Sequence, residues 1–181
     1  IQFIRYILQV KERGGYIILE CKKELKELFK DLQEVDEFVD KENNLVPNVD
    51  FDCYIHLMSL PRIFSTDLSN IPDEMHYLKA NPLLVEKFKP KFNSDKFKVG
   101  IAWAGNPNQE KDKNRSTTFE KFKTLKEIPG IKIYSLQVWE ASKQLDDSEI
   151  INLAEDIDNF AETAALIENL DLIITVDTSI C

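Results

Sequence analysis

The sequence predicts an α/β fold built in two successive halves, and three observations carry that expectation. Continuously apolar, β-branched runs ("YIILEC", "KVGIAWA", "IKIYSLQV", "LDLIITVD") alternate with segments whose apolar residues recur at helical spacing. Such alternation marks βαβ units and parallel sheets. The pattern breaks at the polar stretch "KPKFNSDK", near residue 92, and then restarts. The expected domains are therefore 1–92 and 93–181. An apolar fraction of 43% and an aromatic fraction of 10% are enough for the cores this requires.

In chain order, Phe3, Ile7 and Val10 lie on one helical stripe, with Ile1, Ile4 and Leu8 on the adjoining one, and Gly14-Gly15 stops that helix. Residues 16–21 read as a strand buried on both faces. Leu25, Leu28, Phe29 and Leu32 follow at helical spacing, residues 35–39 form a short strand, and residues 53–60 another whose extension Pro61 limits. Asn81 and Pro82 supply an N-cap and a first-turn proline to a helix with the face Leu84, Val85, Phe88 and Phe92.

In the second half, residues 98–104 read as a strand. Thr117 and Glu120 have the spacing of a capping box for a helix presenting Phe119, Phe122 and Leu125, which Pro129-Gly130 ends. Residues 131–138 are a strand, "EIINLAEDID" follows neither pattern, Phe160, Ala164 and Ile167 form a helical stripe, and "LDLIITVD" is a last buried strand. With only three clear strands this sheet is expected to be incomplete, to expose apolar edges and to self-associate.

Composition excludes several classes. A net charge of −9 disfavours nucleic acid as a partner. Three cysteines without a Cys-x-x-Cys pair suggest neither a disulfide framework nor a zinc site, and a reduced, cytoplasmic setting is expected. No run approaches the roughly 18 apolar residues of a membrane span. The chain opens on Ile1, already inside a helix, and is expected to have been cut from something longer. Five glycines, none in G-x-G-x-x-G or G-x-x-x-x-G-K, disfavour dinucleotide oxidoreductases and P-loop hydrolases. Asp50-Phe51-Asp52 and Asp156-Ile157-Asp158 read as structural rather than metal-binding. Cys53 and His56 sit in a strand reading and make a poor catalytic pair.

Ligands of open α/β sheets bind beyond the carboxyl ends of the strands. Two strand ends in the second half are therefore singled out. In "GNPNQEKDKNRS", Gly105, Asn106 and Pro107 shape a turn. Lys111, Lys113 and Arg115 add positive charge, and Ser116 and Thr117 open a helix whose free N–H groups favour an anion. In the second, Asp177, Thr178 and Ser179 offer hydroxyls and N–H groups after an apolar strand. Ordinary helix capping accounts for either segment taken alone.

"VGIAWAGNP", "DKNRS", "YSLQ" and "FAETAALIENLDLIITVDTS", with "IQFIRYI", "DFDCYIHLMSLPRIF" and "IPDEMHYLKANPLLVEKF" in the first half, resemble the glycosyltransferase domain that follows tetratricopeptide repeats in many bacterial proteins. That domain is similar to the heptosyltransferases of glycosyltransferase family 9 and, remotely, to O-linked N-acetylglucosamine transferases. The resemblance implies a GT-B architecture of two Rossmann-like domains, both incomplete here. One takes a glycan or protein acceptor and the other a nucleotide-sugar donor, with no metal and no further cofactor. It also implies tetratricopeptide repeats upstream in the parent chain.

By the same resemblance, Asn106, Lys113, Arg115 and Ser116 match the donor-side loop, Asp177 and Thr178 the phosphate-contacting turn, and Gln137 a polar ligand contact at a strand end. At Val138-Trp139 the chain lacks the Lys-Gly that often follows Ser-Leu-Gln in the family. The catalytic acid of the family lies in a Gly-rich turn upstream of the segment matching "IQFIRY". The residues here are thus expected to bind donor without turning it over. The alternative is a non-catalytic binding or scaffold module that kept the fold.

Overall fold

The computed structural model describes residues 1–41, 49–73 and 77–180; His76 and Cys181 lie outside them. The chain is mixed α/β and separates into two compact units, Ile1–Lys79 and Ala80–Cys181.

In the first unit, a 3₁₀ turn over Gln2–Tyr6 runs into helix α1 (Ile7–Glu12). Gly14 and Gly15, at φ +81° and +108°, end it in a conformation that side-chain-bearing residues rarely adopt. Strand β1 (Ile18–Cys21), helix α2 (Lys23–Phe29) and strand β2 (Glu37–Asp40) form a βαβ unit, with Ile18 opposite Glu37 and Cys21 opposite Asp40 in parallel register. Ile4, Ile7, Leu19, Cys21, Phe29 and Val35 make the core. β1 is buried on one face only: Leu19 and Cys21 point inward and Glu20 is exposed. The expected two-sided burial is not found: on the second face Ile18 is only half-buried and Glu20 is exposed.

The strand expected over 53–60 does not form. Leu57–Ser59 is a 3₁₀ turn leading into helix α3 (Leu60–Ile63), with Pro61 in its first turn. Proline's fixed φ suits a helix start and its missing N–H cannot serve a sheet, so the apolar run becomes helical instead of pairing. Tyr54 and Met58 consequently remain exposed.

The second unit opens with helix α4 (Pro82–Phe88). Asn81 Oδ1 accepts from Leu83 N at 2.9 Å, so the expected cap and proline stand as read. Lys89–Phe92 is a 3₁₀ turn whose Phe92 ring lies 4.7 Å from Tyr134. Phe88 and Phe92, one helical turn apart, both enter this unit's core. The division accordingly falls at Lys79/Ala80 and not at residue 92: "KPKF" looks polar in sequence, but its phenylalanine is anchored.

Strands β3 (Phe97–Ala102), β4 (Ile131–Ser135), β5 (Ile151–Asn152) and β6 (Leu172–Thr175) make an all-parallel sheet in the order β5-β4-β3-β6. Alternation sorts the side chains into two layers. Val99, Ile101, Trp103 and Ile133 pack with Phe119 on one face; Tyr134 and Leu136 pack with Phe88, Ala165 and Leu166 on the other. Gly100 is required on the second face, where a Cβ would lie 2.7 Å from both Leu170 Cδ1 and Ile173 Cδ1. "LDLIITVD" is a half-buried edge strand rather than a fully buried one, since β6 has a neighbour on one side only among the described residues.

Two helices differ from expectation in detail. Phe119–Glu127 is a nine-residue 3₁₀ segment, and no capping box forms. Thr117 N is held by Trp103 O at 2.8 Å, so the helix starts at Phe119, whose N–H takes Gln144 Oε1 at 3.1 Å, while Glu120 pairs with Lys123. Helix α5 (Phe160–Glu168) buries Ala161, Ala165 and Leu166, leaving Phe160, Ala164 and Ile167 half-buried. It begins at a reciprocal cap that the sequence reading missed. Asn159 Oδ1 accepts from Ala161 N and Glu162 N, and Glu162 Oε2 accepts from Asp158 N. The signal was the spacing Asn-x-x-Glu.

Two exposed carboxylates that accept backbone N–H bonds set a pH dependence. Asp36 accepts from Ile17 N and Asp171 from Lys98 N, each at 2.7 Å. The backbone N–H bond, with the adjacent lysine second for Asp36 and smaller still for Asp171, holds both carboxyls below their ordinary range. A folded-state pKa below the unfolded one contributes stability that is present above the unfolded pKa and is lost as pH falls through the folded one. Thermal melts from about pH 6 downward are expected to lose stability mainly below the usual carboxylate pKa of about 3.9. Asp171→Asn is expected to flatten that loss; a variant with the wild-type slope would count against this account.

Candidate functional site

Strand order in the second unit reverses at β3. β4 and β5 add on one side, and the chain then crosses through α5 to place β6 on the other. Such a switch point leaves a crevice beyond the carboxyl ends of the two flanking strands. Ala102 lies opposite Thr175, and Val176 N donates to Ala102 O at 3.2 Å, so the segments beginning at Trp103 and Val176 leave the sheet side by side.

The loop after β3 folds back on itself. Gly105 N donates to Ser116 Oγ at 2.9 Å, Asn106 Oδ1 accepts from Asn108 N at 2.9 Å, and Asn106 O accepts from Gln109 N at 3.0 Å. Arg115 Nε donates to Asp112 Oδ1 at 3.2 Å, and Arg115 Nη1 crosses to the other loop, donating to Asp177 O at 3.0 Å. Gly105 makes room for this: a Cβ there would stand 2.6 Å from Arg115 Nη2 and 2.7 Å from Asp112 Oδ1. The two loops predicted from sequence therefore meet, and the contact between them is a guanidinium on a carbonyl.

The predicted residues divide into those the protein itself occupies and those still open. Ser116 Oγ accepts from Gly105 N, which fixes the hydroxyl in place but leaves its O–H as a donor. Arg115 is tied at Asp112 and Asp177. Thr178 Oγ1 lies 3.4 Å from Thr175 Oγ1 and accepts from Ile180 N at 3.4 Å. Lys113, in an exposed 3₁₀ turn over Asp112–Asn114, and the exposed carboxylate of Asp177 have no partner among the described residues. The free helix N-terminus expected at Ser116 and Thr117 is not available, because Trp103 O and Gln144 Oε1 take the N–H groups of Thr117 and Phe119.

Gln137 is a correction. It is 2% exposed, and its amide is saturated by backbone. Oε1 accepts from Trp103 N at 2.9 Å and Ala104 N at 2.8 Å, while Nε2 donates to Ala104 O at 3.0 Å and Val138 O at 3.1 Å. A primary amide has two donors and one two-lone-pair acceptor, so nothing is left for a ligand. Gln137 instead fastens the end of β4 to the end of β3 and so positions the loop that carries Asn106.

Trp139, two residues further on, was not singled out from sequence. Its backbone takes φ +61° and ψ −156°, a region open essentially to glycine, and the side chain is 59% exposed. The backbone here holds a glycine-like conformation while carrying an indole, at a typical cost of about 1–3 kcal/mol.

Among the described residues, no group of three or more His, Cys, Asp or Glu side chains is placed to hold a metal ion. Asp156 pairs with Lys91 at 3.0 Å. Cys53 is exposed, and His56 packs edge-on against Tyr54. No helix among the described residues is long and apolar enough to cross a membrane.

Fold and edge together define an α/β unit with a cation-bearing loop at the switch point of a parallel sheet. No protein-family model, no curated protein and no solved structure matches the chain.

Proposed function

We propose that the two units are the incomplete Rossmann-like pair of a GT-B glycosyltransferase, and that the second unit takes a nucleotide-sugar donor. The observation that carries this reading is the bond from Arg115 to the Asp177 carbonyl across the β3/β6 switch point. It joins the two loops a diphosphate would need, at the edge where such sheets hold ligands. Lys113 supplies an exposed positive charge there, without a partner among the described residues. In the reaction, the bond from the anomeric carbon to the diphosphate oxygen breaks and the diphosphate leaves as an anion. An acceptor hydroxyl forms the new bond, and its proton passes to a carboxylate base. The cations of the loop stabilise the leaving charge. No residue of this chain is assigned the base.

A second reading, a binding module with the chemistry lost, is favoured by one observation: Arg115, Ser116 and Gln137 are all engaged within the protein. Isothermal titration with uridine and guanosine diphosphates tests the donor site. Lys113→Glu is expected to weaken binding by about tenfold or more, as loss of one charge-assisted contact implies, with an unchanged melting temperature. No binding by the wild-type chain, or equal binding by the variant, removes the reading. Diphosphate binding without transfer by the full-length protein selects the module.

A further inference from the structure

We propose that Trp139 is the platform on which the base of the bound nucleotide stacks; this rests on the donor-site reading above. The indole is 59% exposed and has no aromatic or cationic partner among the described residues. It is held by a backbone at φ +61° and ψ −156° that a tryptophan adopts only under strain. Strain of this kind persists where surrounding contacts over-determine it, and those contacts are present. Trp139 O accepts from both Ser142 N at 3.1 Å and Ser142 Oγ at 2.6 Å on one side. On the other side, the Val138 carbonyl is bound by Gln137 Nε2 at 3.1 Å.

The location fits a base rather than a phosphate. The same Gln137 amide that holds Val138 also holds Ala104, so Trp139 leaves the carboxyl edge beside the loop carrying Asn106, Lys113 and Arg115. It leaves on the β4 side, away from the β3/β6 switch point. A nucleoside diphosphate is extended, with an anionic end and a flat aromatic end. The basic loop meets the first, and an exposed indole on the neighbouring strand end suits the second. Stacking on tryptophan is tolerant of which base it meets, because every base has a π-face.

The chain has two tryptophans, and the other, Trp103, is fully buried, so quenching by a solution ligand reports Trp139. Uridine and guanosine diphosphates are expected to quench the fluorescence, and inorganic pyrophosphate, which has no base, is not. Trp139→Ala is expected to weaken nucleotide binding about tenfold and to leave pyrophosphate affinity unchanged, while Trp139→Phe retains most of the affinity. Trp139→Gly, which relieves the backbone, is expected to melt at or above the wild-type temperature while binding nucleotide as weakly as the alanine variant. If the wild-type chain binds nucleotide and Trp139→Ala binds it equally well, the platform is wrong and the donor site stands. If the wild-type chain binds pyrophosphate and nucleotide with equal affinity and no quenching, the platform is again wrong. Binding of neither ligand overturns both readings.

Discussion

Gln137→Ala is expected to destabilise the protein by about 3 kcal/mol, without any ligand present. The side chain serves four backbone groups, on Trp103, Ala104 and Val138, in a place that is 2% exposed. A buried backbone N–H or C=O left without a partner costs about 1–3 kcal/mol. Relaxation and entering water recover part of the total, which brings the expected sum to the stated figure. Urea denaturation monitored by circular dichroism measures it directly. A side chain that contacted only a ligand would behave differently: Gln137→Ala would keep the wild-type midpoint and lose affinity. That pattern would return Gln137 to the ligand-contact role that the resemblance assigns it.

The other large effect is expected at Trp103. Its indole is fully buried, 5.1 Å from the Phe119 ring and 6.3 Å from that of Phe122, where the end of β3 meets the 3₁₀ segment. Trp103→Ala empties that layer and is expected to cost about 3–5 kcal/mol, the range for large aromatic truncations in a core. Trp103→Phe is expected to cost only about 1 kcal/mol. It keeps most of the ring contact and removes Nε1, a buried N–H that has no acceptor among the described residues. The gap between the two variants is the measurement. If phenylalanine costs as much as alanine, the indole N–H contributes through a partner such as a bound water, and the packing account fails.

The core and the candidate site were legible to different degrees. The Asn81-Pro82 helix start, the Gly14-Gly15 stop and the existence of β3, β4 and β6 as apolar strands could all be read, because each depends on residues a few positions apart. The run 53–60 could not, since its apolar content fits a strand and only Pro61 argues for the helix that forms. The two loops of the site were found from their place after apolar strands. Which groups in them stay open was not visible: Ser116 and Thr117 read as ready for an anion, yet Trp103 O takes the Thr117 N–H and Gly105 N fixes the Ser116 hydroxyl from the other side. Trp139 was passed over because a φ of +61° leaves no mark on a residue type.

Periodicity and turn chemistry are local, so the residues alone determined where strands and helices alternate, which of their faces are apolar, and that the polar loops follow strand ends. The partners of Arg115 and Gln137 lie 62 and 33 residues away in sequence, at Asp177 and Ala104. Such contacts exist only once the strands have taken their order, because strand order sets which loop ends are neighbours. The tertiary structure therefore decided that Gln137 ties backbone together, that Arg115 joins two loops, and that Lys113 and Trp139 remain facing water.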